Sequence, residues 1–278
     1  MPVILWIFAA LLGLFALYLL LLMPRARRPE AKPFMEYAYA HRGLWDENTA
    51  ENSLSAFAKA AEAGYGIELD VQLSSDGEVM VFHDENLLRM TGLDASLHDK
   101  TKEELSSLFL SGTKDTLPTL AEVLDLVGGR VPLLVELKSE HEKEALCQKT
   151  AELLDSYQGP FMIESFHPYI VGWFRRHRPS VVRGQLYTWL YSKENKKTLA
   201  FLAQSLLLIN IYARPDFMAY DVKKSDVLPL YLLRIWKPYF VAWTVKCKEE
   251  LTRAKKADTV IFERITEELE PRRQEGHI

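Results

Sequence analysis

Cysteine is nearly absent from this sequence: Cys147 and Cys247 are the only two. They allow at most one bridge, form no Cys-x-x-Cys pair and have no zinc-like spacing, which excludes a disulfide scaffold and a thiolate metal site. As ordinary thiols they are compatible with a reducing compartment. Basic excess is missing too. With a net charge of -4 and a pI near 6.0, the chain has no bulk attraction for nucleic acid, and no nucleic-acid partner is expected. Internal repeats and low-complexity runs are lacking, and 26% charged residues is ordinary for a globular protein, so disorder is not indicated. The last absence is local: no charge occurs between Val3 and Met23.

That stretch of 21 residues would be about 31 Å long as a helix, the thickness of a bilayer's hydrocarbon core. Pro24 ends it, and Arg25, Arg27, Arg28 and Lys32 follow. A cleaved signal peptide carries its positive charge ahead of a shorter apolar run and ends in small residues. Here the basic residues come afterwards, and Met-Pro-Arg-Ala-Arg-Arg is a poor cleavage site. The expectation is an uncleaved, single-pass anchor at 3–23 in the cell membrane, a linker at 24–36, and one folded domain at 37–270. The basic cluster places that domain on the cytoplasmic side.

Beyond the linker, short apolar runs alternate with amphipathic stretches. Strands are expected at Tyr37–His41, Gly66–Leu73, Val79–His83, Val131–Lys138, Phe161–Phe166, Val182–Tyr187, Phe217–Val222, Tyr239–Val245 and Thr259–Glu263. Helical patterns fall at Ser53–Ala63, Thr119–Val127, Glu142–Tyr157, Lys193–Leu208 and Lys248–Lys256. Strand–helix alternation over roughly 245 residues predicts an α/β fold, the TIM (β/α)8 barrel, preceded by the transmembrane helix. Nine strands are one too many, so the one near Val79 or the one near Phe217 must be irregular. Residues 86–118 fit no single crossover helix and read as a small insertion, with Thr119 capping the next helix.

Polar residues gather at the C-terminal ends of these strands, where barrels build their sites. The first strand ends in His41-Arg42-Gly43. The second carries Glu68 and Asp70, two residues apart and so on one face. Further strands end in His83-Asp84 and in Glu136-Leu137-Lys138. Buried carboxylates are costly unless paired or bound to metal. Convergence of Glu68, Asp70 and Glu136 predicts an all-oxygen site for a divalent cation, Mg²⁺ or Ca²⁺. Beside Arg42 and Lys138 it would suit a phosphate, with His41 and His83 as acid and base in an order the sequence leaves open. His98, His141, His177 and His277 are expected at the surface, whereas His167 is a candidate to reach the pocket. Arg175, Arg176, Arg178 and Arg183 read as a solvated face, or as a binder of anionic headgroups if turned to the bilayer.

The run His41-Arg42-Gly43, Glu51-Asn52-Ser53, Ala56-Phe57, Gly64, Glu68-Leu69-Asp70-Val71, Ser75-Asp76-Gly77 and Val81-Phe82-His83-Asp84 resembles the opening signature of the glycerophosphodiester phosphodiesterase family. Later motifs are similar as well: Leu117 to Leu124, Glu136-Leu137-Lys138, Ser165-Phe166 and Trp243-Thr244-Val245. The resemblance spans about 37–265 and points to a membrane-anchored, bacterial-type member. It implies a TIM barrel that hydrolyses glycerophosphodiesters, or related lysophospholipids at the membrane surface, to sn-glycerol 3-phosphate and an alcohol. By the same resemblance His41 and His83 are the general acid and base, Arg42 and Lys138 hold the phosphate, and Glu68, Asp70 and Glu136 hold the metal. Glu51 is a supporting carboxylate, and Trp243 forms an apolar wall for the substrate. The alternative is a membrane-tethered phosphate- or headgroup-binding module without turnover, which would have little need of both histidines. Two departures stand out: Glu263-Arg264 where the family's last strand often ends in Thr-Asp, and Lys246 where an asparagine often follows Trp-Thr-Val. Both are expected near the mouth, away from the metal and histidine set, bearing on substrate choice.

Overall fold

The computed structural model describes residues 2–138, 142–189 and 199–272. Eight parallel strands close into a barrel: β1 (Tyr39–His41), β2 (Gly66–Leu73), β4 (Leu133–Leu137), β5 (Phe161–Ser165), β6 (Val182–Tyr187), β7 (Phe217–Asp221), β8 (Tyr239–Val245) and β9 (Thr259–Phe262). β1 pairs with both β2 and β9, which completes the circle. The irregular strand is β3 (Val79–Val81). It runs antiparallel to β2 outside the closed ring, while Phe217–Asp221 is a full member. β3 folds back through a turn at 74–78 that includes Ser75-Asp76-Gly77, and five residues cannot make a crossover to a parallel neighbour.

Helices coat the barrel where the sequence supplies caps and an apolar stripe. Ser53 accepts a hydrogen bond from the Ala56 N–H at the start of Leu54–Glu62. Thr119 and Glu122 form a capping box before Leu120–Val127, an arrangement worth about 1 kcal/mol. Helix Lys143–Ser156 buries Leu146, Cys147, Ala151 and Leu154. Both cysteines are free thiols. The expected helix at Lys193–Leu208 is observed as Leu199–Ser205, and residues 190–198 lie outside the described residues. Residues 82–118 form the insertion, with a small core of its own from Phe82, Leu87, Met90, Leu97, Leu105, Leu110 and Leu117.

Residues 24–36 are no open spacer, because they fold against the base of the barrel. Pro29–Glu36 is a 3-10 helix whose Ala31 and Met35 bury with Leu134, Met162, Phe217 and Val241 in the barrel interior. The basic cluster is held there as well. Arg27 pairs with Asp258 and lies over the Tyr239 ring, and Arg28 donates to the Pro179 and Ser180 carbonyls. Arg183 belongs to this base too. Rather than a solvated face it is 2% exposed, 3.7 Å from the buried Asp216. A charge at the start of a parallel strand is enclosed by its neighbours, so it needs that partner. Arg175 and Arg176 do reach solvent.

The N-terminal helix Pro2–Leu22 is long and apolar enough to cross a membrane, and none of its spanning window is buried. Only its last turn docks, where Tyr18 donates to the Leu206 carbonyl and Leu22 is buried.

Candidate active site

The His41-Arg42-Gly43 turn bends the chain sharply at the end of β1. Arg42 has φ 59° and Gly43 φ 83°. A Cβ on Gly43 would lie 2.7 Å from the Ala56 backbone carbon, so only glycine lets the turn pack on helix Leu54–Glu62. This bend points the Arg42 N–H at the Glu68 carboxylate, 3.1 Å away.

Glu68, Asp70 and Glu136 converge as expected, with one carboxylate oxygen from each lying within 4.8 Å of the others. β2 and β4 pair in a register that sets Asp70 opposite Glu136, and β1 places His41 opposite Glu68. All three carboxylates are buried. Burial and the neighbouring acids push Glu68 well above the ordinary carboxylate range, and burial pushes Glu136 up to about 7. Burial would raise Asp70 as well, but Lys138 and Arg42 hold it well below its usual value. The Lys138 ammonium lies 3.1 Å from Asp70 and 2.8 Å from Glu136, inside the cluster where a cation is needed. Two acids forced upward despite Arg42 and Lys138 mark a shortage of positive charge. An oxygen-only donor set with that shortage fits a hard divalent cation.

The histidines are held in parallel fashion. His83 Nδ1 lies 2.6 Å from Asp84, whose other oxygen takes the Arg89 Nε at 2.5 Å. Arg89 continues to Glu51 at 2.6 Å, and Glu51 accepts from Arg42 at 2.7 Å. The expected supporting carboxylate thus ties Arg42 to the His83 side. His41 Nδ1 lies 3.3 Å from Glu263, which also pairs with Lys246 at 2.8 Å. The two departures from the family pattern therefore sit on a histidine, contrary to the expectation that they lie apart from it. Burial pushes both imidazoles below their ordinary value, while Glu263 pulls His41 up and Asp70 pulls His83 up.

A cavity of about 730 Å³ opens beside the cluster, lined by His83, Glu136, Lys138, Phe166, His167 and Gln204 among others. His167, the candidate to reach the pocket, does so. Trp243 stands behind it, edge-on to Phe166 at 5.5 Å between ring centres. His177 is exposed and His98 half-buried, and His141 and His277 lie outside the described residues.

Sequence reasoning missed two residues. Glu164, buried on β5 opposite Glu136, is pushed well above its usual value by burial and by Glu136. Its signal was a single carboxylate in an apolar strand. Asn52 donates to Asp70 at 2.8 Å, and it was visible only as part of the Glu-Asn-Ser motif.

The model of the Glycerophosphoryl diester phosphodiesterase family matches residues 41–261. The chain belongs to this family. A glycerophosphodiester phosphodiesterase of Caldanaerobacter subterraneus is 32% identical over 78% of this chain and 89% of its own. Among solved structures, the Thermotoga maritima glycerophosphodiester phosphodiesterase is 28% identical with a TM-score of 0.63, covering 81% of this chain and 93% of that one. An Oleispira antarctica phosphodiesterase, solved with its product sn-glycerol-3-phosphate, has a TM-score of 0.68 at 22% identity, covering 82% and 93%, and shares the fold. The chain is thus a phosphoric diester hydrolase acting on glycerophosphodiesters, and the acidic cluster is its candidate metal site.

Proposed function

We propose that this phosphodiesterase works at a membrane surface, splitting glycerophosphodiesters to sn-glycerol 3-phosphate and an alcohol by histidine acid–base catalysis. The observation that carries the reading is the joint presence of three buried carboxylates and two histidines, each with its Nδ1 on a carboxylate. Glu68, Asp70 and Glu136 would hold the divalent cation, Mg²⁺ or Ca²⁺, which when bound neutralises charge on the phosphate oxygens. Arg42 and Lys138 bind those oxygens. With Nδ1 committed to Asp84 or Glu263, each imidazole keeps Nε2 for proton transfer. One histidine takes a proton from the attacking water and the other gives one to the departing alkoxide, so the protons balance. Arg42 is kept in place by Glu51. Trp243, through Phe166, walls the side where glycerol or the alcohol lies.

In this reading residues 37–270 are the catalytic unit, 24–36 its base closure, and 3–23 a single-pass anchor with the barrel in the cytoplasm. Glycerophosphocholine incubated with Mg²⁺, Ca²⁺ or Mn²⁺ should release glycerol 3-phosphate, and excess chelator should stop it. Binding without metal-dependent turnover would favour the non-catalytic module instead. Protease added to intact cells should spare the barrel, and its digestion would reverse the orientation.

A further inference from the structure

The docked end of the N-terminal helix has a direction. Parallel strands give the barrel a base, where strands start, and a mouth, where they end and the site lies. Leu22 and Arg25 are held at the base: the Asn210 side chain donates to the Leu22 carbonyl, and the Arg25 N–H donates to the Pro215 carbonyl, just before β7 begins. One turn earlier, Tyr18 lines a groove with Trp189, which follows β6, and with Val227, Leu228 and Pro229, which follow β7. Those residues belong to the mouth. The helix therefore runs from mouth to base, and Val3–Leu17 project beyond the mouth, exposed and without a charge.

Length decides how close a bilayer must come. Fifteen projecting residues cover roughly 22 Å, whereas a hydrocarbon core is roughly 30 Å thick. The helix can span only if lipid reaches down to the Tyr18 turn, level with the rim. Rim residues suit that contact on both sides. Leu228 is 67% exposed beside the helix, and Phe109 is 61% exposed in the insertion, whose first residue Phe82 donates its N–H to the Asp70 carbonyl at the site. The Tyr18 groove, about 610 Å³, is lined by Trp189, Leu206, Val227, Leu228 and Pro229 and is almost wholly apolar. Leu206 belongs to the same stretch as Ala203, Gln204 and Ile209, which wall the catalytic cavity.

Resting on the anchor reading above, we infer that the mouth of the barrel is pressed against the bilayer and that the Tyr18 groove takes an acyl chain from it. The occupant is a membrane lipid chain, because the groove's own wall continues into the uncharged helix. Substrates then reach the metal site from the leaflet, and a single-chain phosphodiester can keep its tail in the groove while its headgroup sits at Lys138.

The test uses the full chain with Cys147→Ala and Cys247→Ser, carrying one environment-sensitive label at Leu228→Cys, Phe109→Cys or Arg130→Cys. Arg130 is exposed at the base, before β4. The labelled proteins are reconstituted into phosphatidylcholine–phosphatidylglycerol vesicles with brominated acyl chains. Labels at 228 and 109 should be quenched several-fold more than the label at 130. Equal or stronger quenching at 130 than at 109, or no contrast among the three, overturns the mouth-on arrangement. Flotation with the vesicles reads the anchor separately. A chain that does not float sinks both readings, and one that floats without contrast sinks this one alone.

Discussion

His41 Nδ1 lies 3.3 Å from Glu263 Oε2, and Lys246 Nζ reaches the same oxygen at 2.8 Å. Lys246 and Glu263 are 17 residues apart in the chain, but β8 and β9 bring them side by side, and β1 brings His41 to both. A carboxylate pinned by a lysine fixes the imidazole tautomer and its ring plane.

Glu263→Gln should therefore lower kcat about tenfold to a hundredfold, the scale of a misplaced catalytic group, while leaving metal affinity unchanged. Lys246→Met should act in the same direction and less strongly. Steady-state kinetics beside a metal titration checks this. Wild-type kcat in Glu263→Gln would show that His41 needs no such support.

The same contact carries a pH dependence. Burial alone would raise the Glu263 carboxyl, but hydrogen bonds from His41 and Lys246 hold it at about 2, below its ordinary 4.5. A folded-state value below the unfolded one stabilises the protein above pH 4.5 and is lost as pH falls toward 2. Urea unfolding at pH 6 should show Glu263→Gln less stable by no more than about 3 kcal/mol. The gap should narrow at pH 3. A constant gap across that range would remove the linkage.

His41→Ala and His83→Ala should each reduce turnover about 10²–10⁴-fold with the fold intact by circular dichroism. Near-normal turnover in either variant would take that histidine out of the mechanism.

Metal removal should abolish activity and lower the melting temperature, because Glu68 and Glu136 are buried without enough positive charge. Adding Mg²⁺ or Ca²⁺ back should raise it by several degrees, and Asp70→Asn should blunt the rise. Lys138→Met removes an ammonium from inside the cluster, so its metal-free form should melt lower than the wild type. A melting curve indifferent to metal would exclude the cluster as a cation site.

Much of this protein was legible from the chain. Two-residue spacing puts Glu68 and Asp70 on one face of any strand, and strand ends gather at one end of any barrel, so the carboxylates, His41, His83, Arg42 and Lys138 could be grouped without coordinates. An uncharged run is read the same way, since its solvent preference is a property of composition. The tertiary structure decided what depends on closure. Only the ring that joins β1 to β9 brings Glu263 to His41, and only the β4–β5 register sets Glu164 beside Glu136. Which of nine strands stood outside the ring was likewise a matter of pairing, because β3 has the same apolar pattern as a barrel strand. Local sequence fixes which face a side chain takes, but long-range pairing fixes its neighbours, and so it also fixed which way the N-terminal helix leaves the barrel.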